Sequence, residues 1–150
     1  MSTPADTITL ARLPELVGRR FEPTEWIQIT QQRIDTFAQC TGDHQFIHVD
    51  PERVRRETPF PGTLAHGYLL LSLVAGVRQA NFPAVEDAAL VLNYGIDRLR
   101  FTQPVYAGSR VRYRIEVAGV EARGGGRMLV RQSAQLEVEG QQEPALVAEL

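Results

Sequence analysis

Tyr68-Leu69-Leu70-Leu71-Ser72-Leu73-Val74-Ala75 is the segment from which the architecture of this chain can be worked out. It lies inside the longest helix candidate of the chain, Leu64 to Ala80, and its eight residues carry no charge. A helix that is apolar all round has to be buried on all sides. At ten residues, the apolar run Tyr68 to Val77 is far short of the roughly 20 needed to span a bilayer. The cover must therefore come from protein. One helix wrapped by a strongly curved antiparallel sheet meets that need, so the fold class expected is α+β.

The strands for such a sheet follow the helix. In Arg110–Ala118, Val111, Tyr113, Ile115 and Val117 alternate with Arg110, Arg112, Arg114 and Glu116, the period of a half-buried strand. Met128–Val138 alternates in the same way, with Ala134, Leu136 and Val138 on one parity and Ser133, Gln135 and Glu137 on the other. Between them, Arg123-Gly124-Gly125-Gly126 supplies the residues a tight turn needs, so the two strands are expected to form an antiparallel hairpin. Trp26–Ile29, Ala89–Asn93, Leu99–Phe101 and a short piece within Pro144–Leu150 are expected as further strands. Ahead of the central helix, Thr30 caps a helix that carries Ile34, Phe37 and Ala38 and stops at Gly42. Asp50-Pro51 starts another, with a capping carboxylate and proline at the first helical position.

Composition narrows the function. The chain has 150 residues, the size of one domain, 1–150, and is 43% hydrophobic. Its 16 basic residues are all arginine, set against 18 acidic ones, for a net charge of -2. That balance argues against a nucleic-acid partner. Without lysine there is no Schiff base, no pyridoxal phosphate anchor and no P-loop lysine. The single cysteine, Cys40, allows no intrachain disulfide and is expected to pack rather than react. Met1–Leu10 lacks the basic start and apolar run of a signal peptide. A cytoplasmic protein with no membrane partner is expected.

Chemistry concentrates in Thr41-Gly42-Asp43-His44-Gln45-Phe46-Ile47-His48-Val49-Asp50, read as an irregular loop between two helix signals. Asp43 and His48 can face one cavity and hold a water between them, a carboxylate and an imidazole suited to general acid–base work. The plainer reading gives Asp43 an Asx-type turn bond and makes His48 a satisfied core residue. Asp50 reads as a helix cap. His44 and His48, four apart and beside Asp43, have a metal-binding spacing, but Gly42 and Pro51 interrupt the helix it would need, and no metal is expected. His66-Gly67 stands at the entry to the buried helix, whose unpaired N–H groups could hold an oxyanion. Alternatively, Gly67 serves close packing. Ser72, one turn on, can bond its own i−4 carbonyl. No Gly-x-Ser-x-Gly or strand-linked Gly-x-Gly-x-x-Gly is present, which argues against a serine hydrolase and a nucleotide-dependent oxidoreductase.

The segment Phe37-Ala38-x-x-Thr41-Gly42-Asp43-His44-Gln45-Phe46-Ile47-His48-Val49-Asp50 resembles the hydratase signature of the MaoC-like, (R)-specific enoyl-CoA hydratases, Gly-Asp-x-Asn-Pro-hydrophobic-His. Phe60-Pro61-Gly62-Thr63-Leu64-Ala65-His66-Gly67-Tyr68-Leu69 resembles the entry to that family's central helix. Asn93-Tyr94-Gly95-x-x-Arg98-Leu99-Arg100-Phe101-x-x-Pro104-Val105-x-x-Gly108 is similar to its strand-and-turn block. The resemblance implies the hot-dog fold, a curved antiparallel sheet around one long helix. It also implies a homodimer or higher homo-oligomer with acyl-CoA near the subunit interface.

The activity implied is that of a hydro-lyase: reversible syn hydration of a 2-enoyl-CoA to a 3-hydroxyacyl-CoA, with no cofactor beyond the coenzyme A thioester itself. Asp43 and His48 take the catalytic positions, with Asp43 accepting a proton from the water and His48 orienting that water. Gly67, His66, Gln45 and Ser72 take the oxyanion and substrate-binding positions, and Leu70, Val74 and Val77 suit a medium acyl chain. Gln45-Phe46 stands where the family has Asn-Pro, a variant that looks like the NodN-like branch. Pro144–Leu150 resembles the start of a closing strand that stops early. A hot-dog acyl-CoA thioesterase and a non-catalytic acyl-CoA-binding protein are the alternatives. In either case arginine or backbone N–H groups must hold the CoA phosphates.

Overall fold

The computed structural model describes residues 7–150, and of residues 77–81 the backbone alone. The elements in order are β1 (Thr7–Ile8), a 3-10 helix (Leu10–Leu16), β2 (Ile27–Gln28), α1 (Gln31–Thr41), α2 (Phe46–Val49), α3 (Pro51–Glu57), α4 (Gly67–Asn81), β3 (Ala84–Val85), β4 (Asp97–Phe101), β5 (Arg110–Ala122), β6 (Met128–Val138) and β7 (Leu146–Glu149). Five strands form one antiparallel sheet in the order β2-β5-β6-β7-β4, while β1 and β3 pair in parallel beside it. This is the α+β hot-dog arrangement.

The hairpin of β5 and β6 is the largest piece of the sheet. Val111 faces Val138, Tyr113 faces Leu136 and Ile115 faces Ala134, so one parity of both strands forms a continuous apolar face. Arg123 N–H donates to the Arg127 carbonyl at 2.9 Å, and Gly124, Gly125 and Gly126 all have positive φ, which closes the turn. The other parity faces outward and is laced by ion pairs. Glu137 lies between Arg112 and Arg114, Glu139 meets Arg110, and Glu121 meets Arg123 and Arg131. Those of the pairs that are open to solvent contribute about 0–1 kcal/mol each.

Helix α4 lies on the apolar face. Leu69, Leu70 and Val74 join Val111, Tyr113, Ile115, Ala134 and Leu136 in the main core. The Tyr113 hydroxyl donates to the Leu70 carbonyl at 2.6 Å, which ties helix to sheet in the buried interior. A second cluster of Ile8, Leu13, Leu16 and Val117 is built from the N-terminal segment. No helix among the described residues is long and apolar enough to cross a membrane.

Several expectations are corrected. Helix α4 is not buried on all sides within one chain: Tyr68, Ser72 and Gly76, spaced i, i+4, i+8, form an open stripe, with Tyr68 68% exposed. It begins at Gly67 rather than Leu64, because Thr63–Ala65 is drawn out to pair with 105–107. Ala89–Asn93 forms no strand. Leu90, Val91 and Leu92 are all exposed, and a segment with no apolar face to rest on gains nothing from pleating. Cys40 is exposed rather than packed, since α1 buries Ile34 and Ala38 and Cys40 falls on another face. The segment 41–50 contains the single helical turn α2. The pairing of β1 with β3 and the 3-10 helix were not anticipated.

The alternation of faces gives a direct test. Leu136→Ala, at a fully buried position, should cost about 2–5 kcal/mol in urea unfolding, whereas Gln135→Ala, exposed on the opposite face, should stay within about 0.5 kcal/mol.

Candidate functional site

Helix α1 delivers the first residue of the site. Thr30 caps it, its hydroxyl oxygen accepting from Arg33 N–H at 3.2 Å, and Gly42 ends it at φ 78°. The chain turns there and presents Asp43, whose side chain is 53% exposed. Gln45 N–H reaches Asp43 Oδ1 at 3.4 Å, so the Asx-type contact exists but is long.

The next turn, α2, carries His48 inward to 8% exposure. His48 Nδ1 lies 2.7 Å from the Leu64 carbonyl. A carbonyl only accepts, so Nδ1 carries the proton and Nε2 keeps a lone pair. The turn itself is held from α1: Gln31 Nε2 donates to the His48 carbonyl at 2.8 Å and to Asp35 Oδ1 at 2.8 Å, while Gln31 Oε1 accepts from the buried Thr63 hydroxyl. Asp50 caps α3, accepting from Arg53 N–H at 2.9 Å.

His66, the residue before α4, completes the cluster at 2% exposure. Its ring stacks on His48, with centroids 3.8 Å apart and planes 23° from parallel, and its other neighbour is Phe37 at 5.1 Å. His66 Nε2 lies 3.0 Å from the Asp43 backbone carbonyl, so Nε2 carries the proton, and the buried Nδ1 has no hydrogen-bond partner. One donor atom from each of Asp43, His48 and His66 falls within 4.8 Å of the others. A water with hydrogen bonds of about 2.8 Å on two sides fits that spacing.

The three residues are also the set that could hold a metal ion. Two stacked imidazoles, however, direct their in-plane lone pairs side by side rather than at one point. His48 Nδ1 and His66 Nε2 are already engaged by carbonyls. The arrangement suits a shared water better than an ion.

Gly67 opens α4, and the first backbone bond into that helix runs from Leu70 N–H to the His66 carbonyl at 3.2 Å. The preceding helical N–H groups have no acceptor within the helix. A Cβ at Gly67 would stand 3.0 Å from the Phe101 ring, so a larger residue there would have to push that ring aside. Ser72 lies outside the cluster, on the open stripe, with its hydroxyl donating to the Tyr68 carbonyl at 2.7 Å. His44 and Gln45 are exposed at the rim. Leu70 and Val74 belong to the core, and the side chain of Val77 lies outside the described residues. Gln31 and Thr63 were missed, because their partners are far off in sequence and nothing local marks them.

Burial is the main cause that holds the His48 pKa below its usual 6.5. The Leu64 carbonyl opposes it, His66 adds to it, and Asp43 opposes it weakly. A histidine whose folded pKa is depressed binds protons more readily when unfolded, so it costs stability as pH falls through 6.5 toward the folded value. Urea unfolding of the wild type and of His48→Gln at pH 7 and pH 5 should show the wild type losing more stability on acidification. Equal losses would contradict the buried, neutral imidazole.

The description "MaoC like domain" matches residues 12–139. The chain is 43% identical over 141 residues to nodulation protein N of Rhizobium leguminosarum bv. viciae, covering 94% of this chain and 88% of that one. It is 41% identical over 141 residues to 3-hydroxyacyl-thioester dehydratase Z of Mycobacterium tuberculosis, covering 94% and 92%. Among solved structures it is similar to an Archaeoglobus monoamine oxidase regulatory protein, with a TM-score of 0.81 at 24% identity, over 97% of this chain and 93% of that one.

Proposed function

The chain belongs to the MaoC-like dehydratase domain family, and on that premise we propose that it is an (R)-specific hydro-lyase adding water reversibly to a 2-enoyl-CoA to form a 3-hydroxyacyl-CoA. The observation that carries this reading is the meeting of the Asp43 carboxylate with the buried, neutral His48 within 4.8 Å of each other, just ahead of the start of α4. The relative named as a 3-hydroxyacyl-thioester dehydratase supports the reaction class.

The chemistry follows from the hydrogen bonds. The Leu64 carbonyl keeps the proton of His48 on Nδ1, so Nε2 faces the water as an acceptor alongside Asp43. In hydration, one proton of that water passes to the Asp43–His48 pair as its oxygen bonds to C3. The C2–C3 π electrons move toward C2 and the thioester oxygen. The pair then returns the proton to C2, so addition is syn and the pair ends as it began. Charge on the thioester oxygen is met by N–H groups at the start of α4, with Gly67 first; one such donor is worth about 10²–10³ in rate. The reaction requires no metal or redox cofactor, because the thioester itself acidifies C2 and activates C3.

The proposed assembly is a homodimer or higher homo-oligomer, working in the cytoplasm. Leu90, Val91, Leu92 and Tyr94 are exposed together beside the edge strand β4, and Tyr68 on the open stripe of α4 packs edge-on against Phe101 at 5.9 Å. An apolar face of that extent fits cover by a second copy.

Asp43→Asn and His48→Gln should each lower kcat/KM on crotonyl-CoA by about 10²–10⁴-fold, the usual worth of a general acid or base. The assay is loss of the enoyl absorbance in a protein shown to be folded. Wild-type rates in both variants would end the assignment. Loss of that absorbance matched by release of free thiol would mean thioester hydrolysis instead, since hydration leaves the thioester intact.

A further inference from the structure

We infer that His66 is a positioning residue, which holds the Asp43 loop through its Nε2–H and serves as the wall against which the His48 ring is set. Three observations lead to it. His66 is nearly fully buried, yet its one hydrogen bond with a described partner goes to backbone: the Asp43 carbonyl, 3.0 Å away and 23 residues back along the chain. Its ring covers the face of His48 at 3.8 Å, while Phe37 of α1 closes on His66 at 5.1 Å, so the two imidazoles cannot tilt independently. It also directly precedes Gly67, the first residue of α4. One side chain thus couples the carboxylate loop, the imidazole and the start of the central helix.

The arrangement acts on both members of the pair. Pulling on the Asp43 carbonyl fixes where the backbone leaves Gly42, and so where the Asp43 carboxylate can reach. Covering the His48 ring keeps water from that face, and burial is the largest influence keeping His48 neutral. The charged and titratable groups around His48 are few. Asp43 comes from the loop after α1 and His66 from the segment before α4. Asp35 of α1 is connected only through Gln31, and His44 lies exposed at the rim. Removing His66 takes away cover and one lowering influence together, and both losses raise the His48 pKa.

The kinetic arm rests on the hydration proposed above, and a second arm does not. Three variants separate the two roles. His66→Ala loses donor and ring, His66→Phe keeps the ring and loses the donor, and His66→Gln keeps a donor near the Nε2 position and loses the ring. In folded protein, His66→Ala should lower kcat on crotonyl-CoA by about 10²-fold, the scale of a 1 Å misplacement, with KM little changed. Both His66→Phe and His66→Gln should recover part of that loss.

The second arm follows the His48 imidazole by NMR titration, with or without activity. Its midpoint should move up clearly in His66→Ala and in His66→Gln, and least in His66→Phe, which keeps the cover and loses only the lowering influence of the second imidazole. Equal losses of kcat in all three variants with an unmoved His48 midpoint would overturn the inference, as would wild-type kcat in His66→Ala. Should the wild type hydrate no enoyl-CoA, the proposed reaction fails, and the His48 midpoints alone decide for or against His66. Should His66→Ala not fold, the Phe and Gln variants carry the same comparison.

Discussion

The uncharged stretch Tyr68–Ala75 of α4 needs cover over most of its surface, and most of this structure is arranged around that constraint. Leu69, Leu70 and Val74 of α4 turn toward the sheet, where β5 and β6 offer a face of Val111, Tyr113, Ile115, Ala134 and Leu136. The hydrophobic area removed from water supplies the driving force, and the Tyr113 hydroxyl, donating to Leu70, sets how the helix is seated. A buried phenol without an acceptor would cost the full desolvation of its O–H. That contact therefore favours one seating of the helix over others that bury similar area.

Seating α4 in this way determines where its N-terminus emerges, and the candidate site is assembled around that point. The lead-in 63–65 is extended because it pairs with 105–107, which leaves the Leu64 carbonyl free for His48 and the His66 ring beside it. Gln31 reaches from the first turn of α1 to the His48 carbonyl and to Thr63. Burial favours the uncharged form of His48 beneath the His66 ring. The engagement of each ring by a carbonyl gives each a definite tautomer. Asp43 stands half exposed at the rim.

The absence of lysine has a structural counterpart. On the outer face of the hairpin, arginines alternate with inward apolar residues and meet glutamates across the strands, as Arg112 and Arg114 do at Glu137. The planar guanidinium also stacks: Arg112 lies 4.4 Å from the Trp26 ring and Arg53 4.1 Å from Phe46. Phe46 stands where the related motif has proline, and its stacking on Arg53 gives that substitution a local role in holding α2 against α3. The other notable surface is apolar. Segment 90–96 runs exposed ahead of edge strand β4, where register shifts between Asp97 and Arg100 and Arg98 adopts a φ of 52°.

Much of the fold was legible in the sequence because its signals are local. Alternation gave β6 its bounds, the glycine run marked the hairpin turn, and Thr30, Gly42 and Asp50-Pro51 marked helix ends that depend only on neighbouring backbone groups. The Asp43–His48 spacing pointed to the site for the same reason. Partners distant in sequence were not legible. Gln31 with Thr63, His66 with the Asp43 carbonyl, and Phe101 against Gly67 are contacts that only packing creates. Ala89–Asn93 looked like a strand because its residues favour one, yet it found no surface within the chain. Which segments could be helix or strand, and which residue types could do acid–base chemistry, followed from the order of residues alone, since propensity and chemistry reside in single residues and their neighbours. Which nitrogen of His48 is left to accept a proton emerged from packing alone, because it depends on a carbonyl brought in from sixteen residues away.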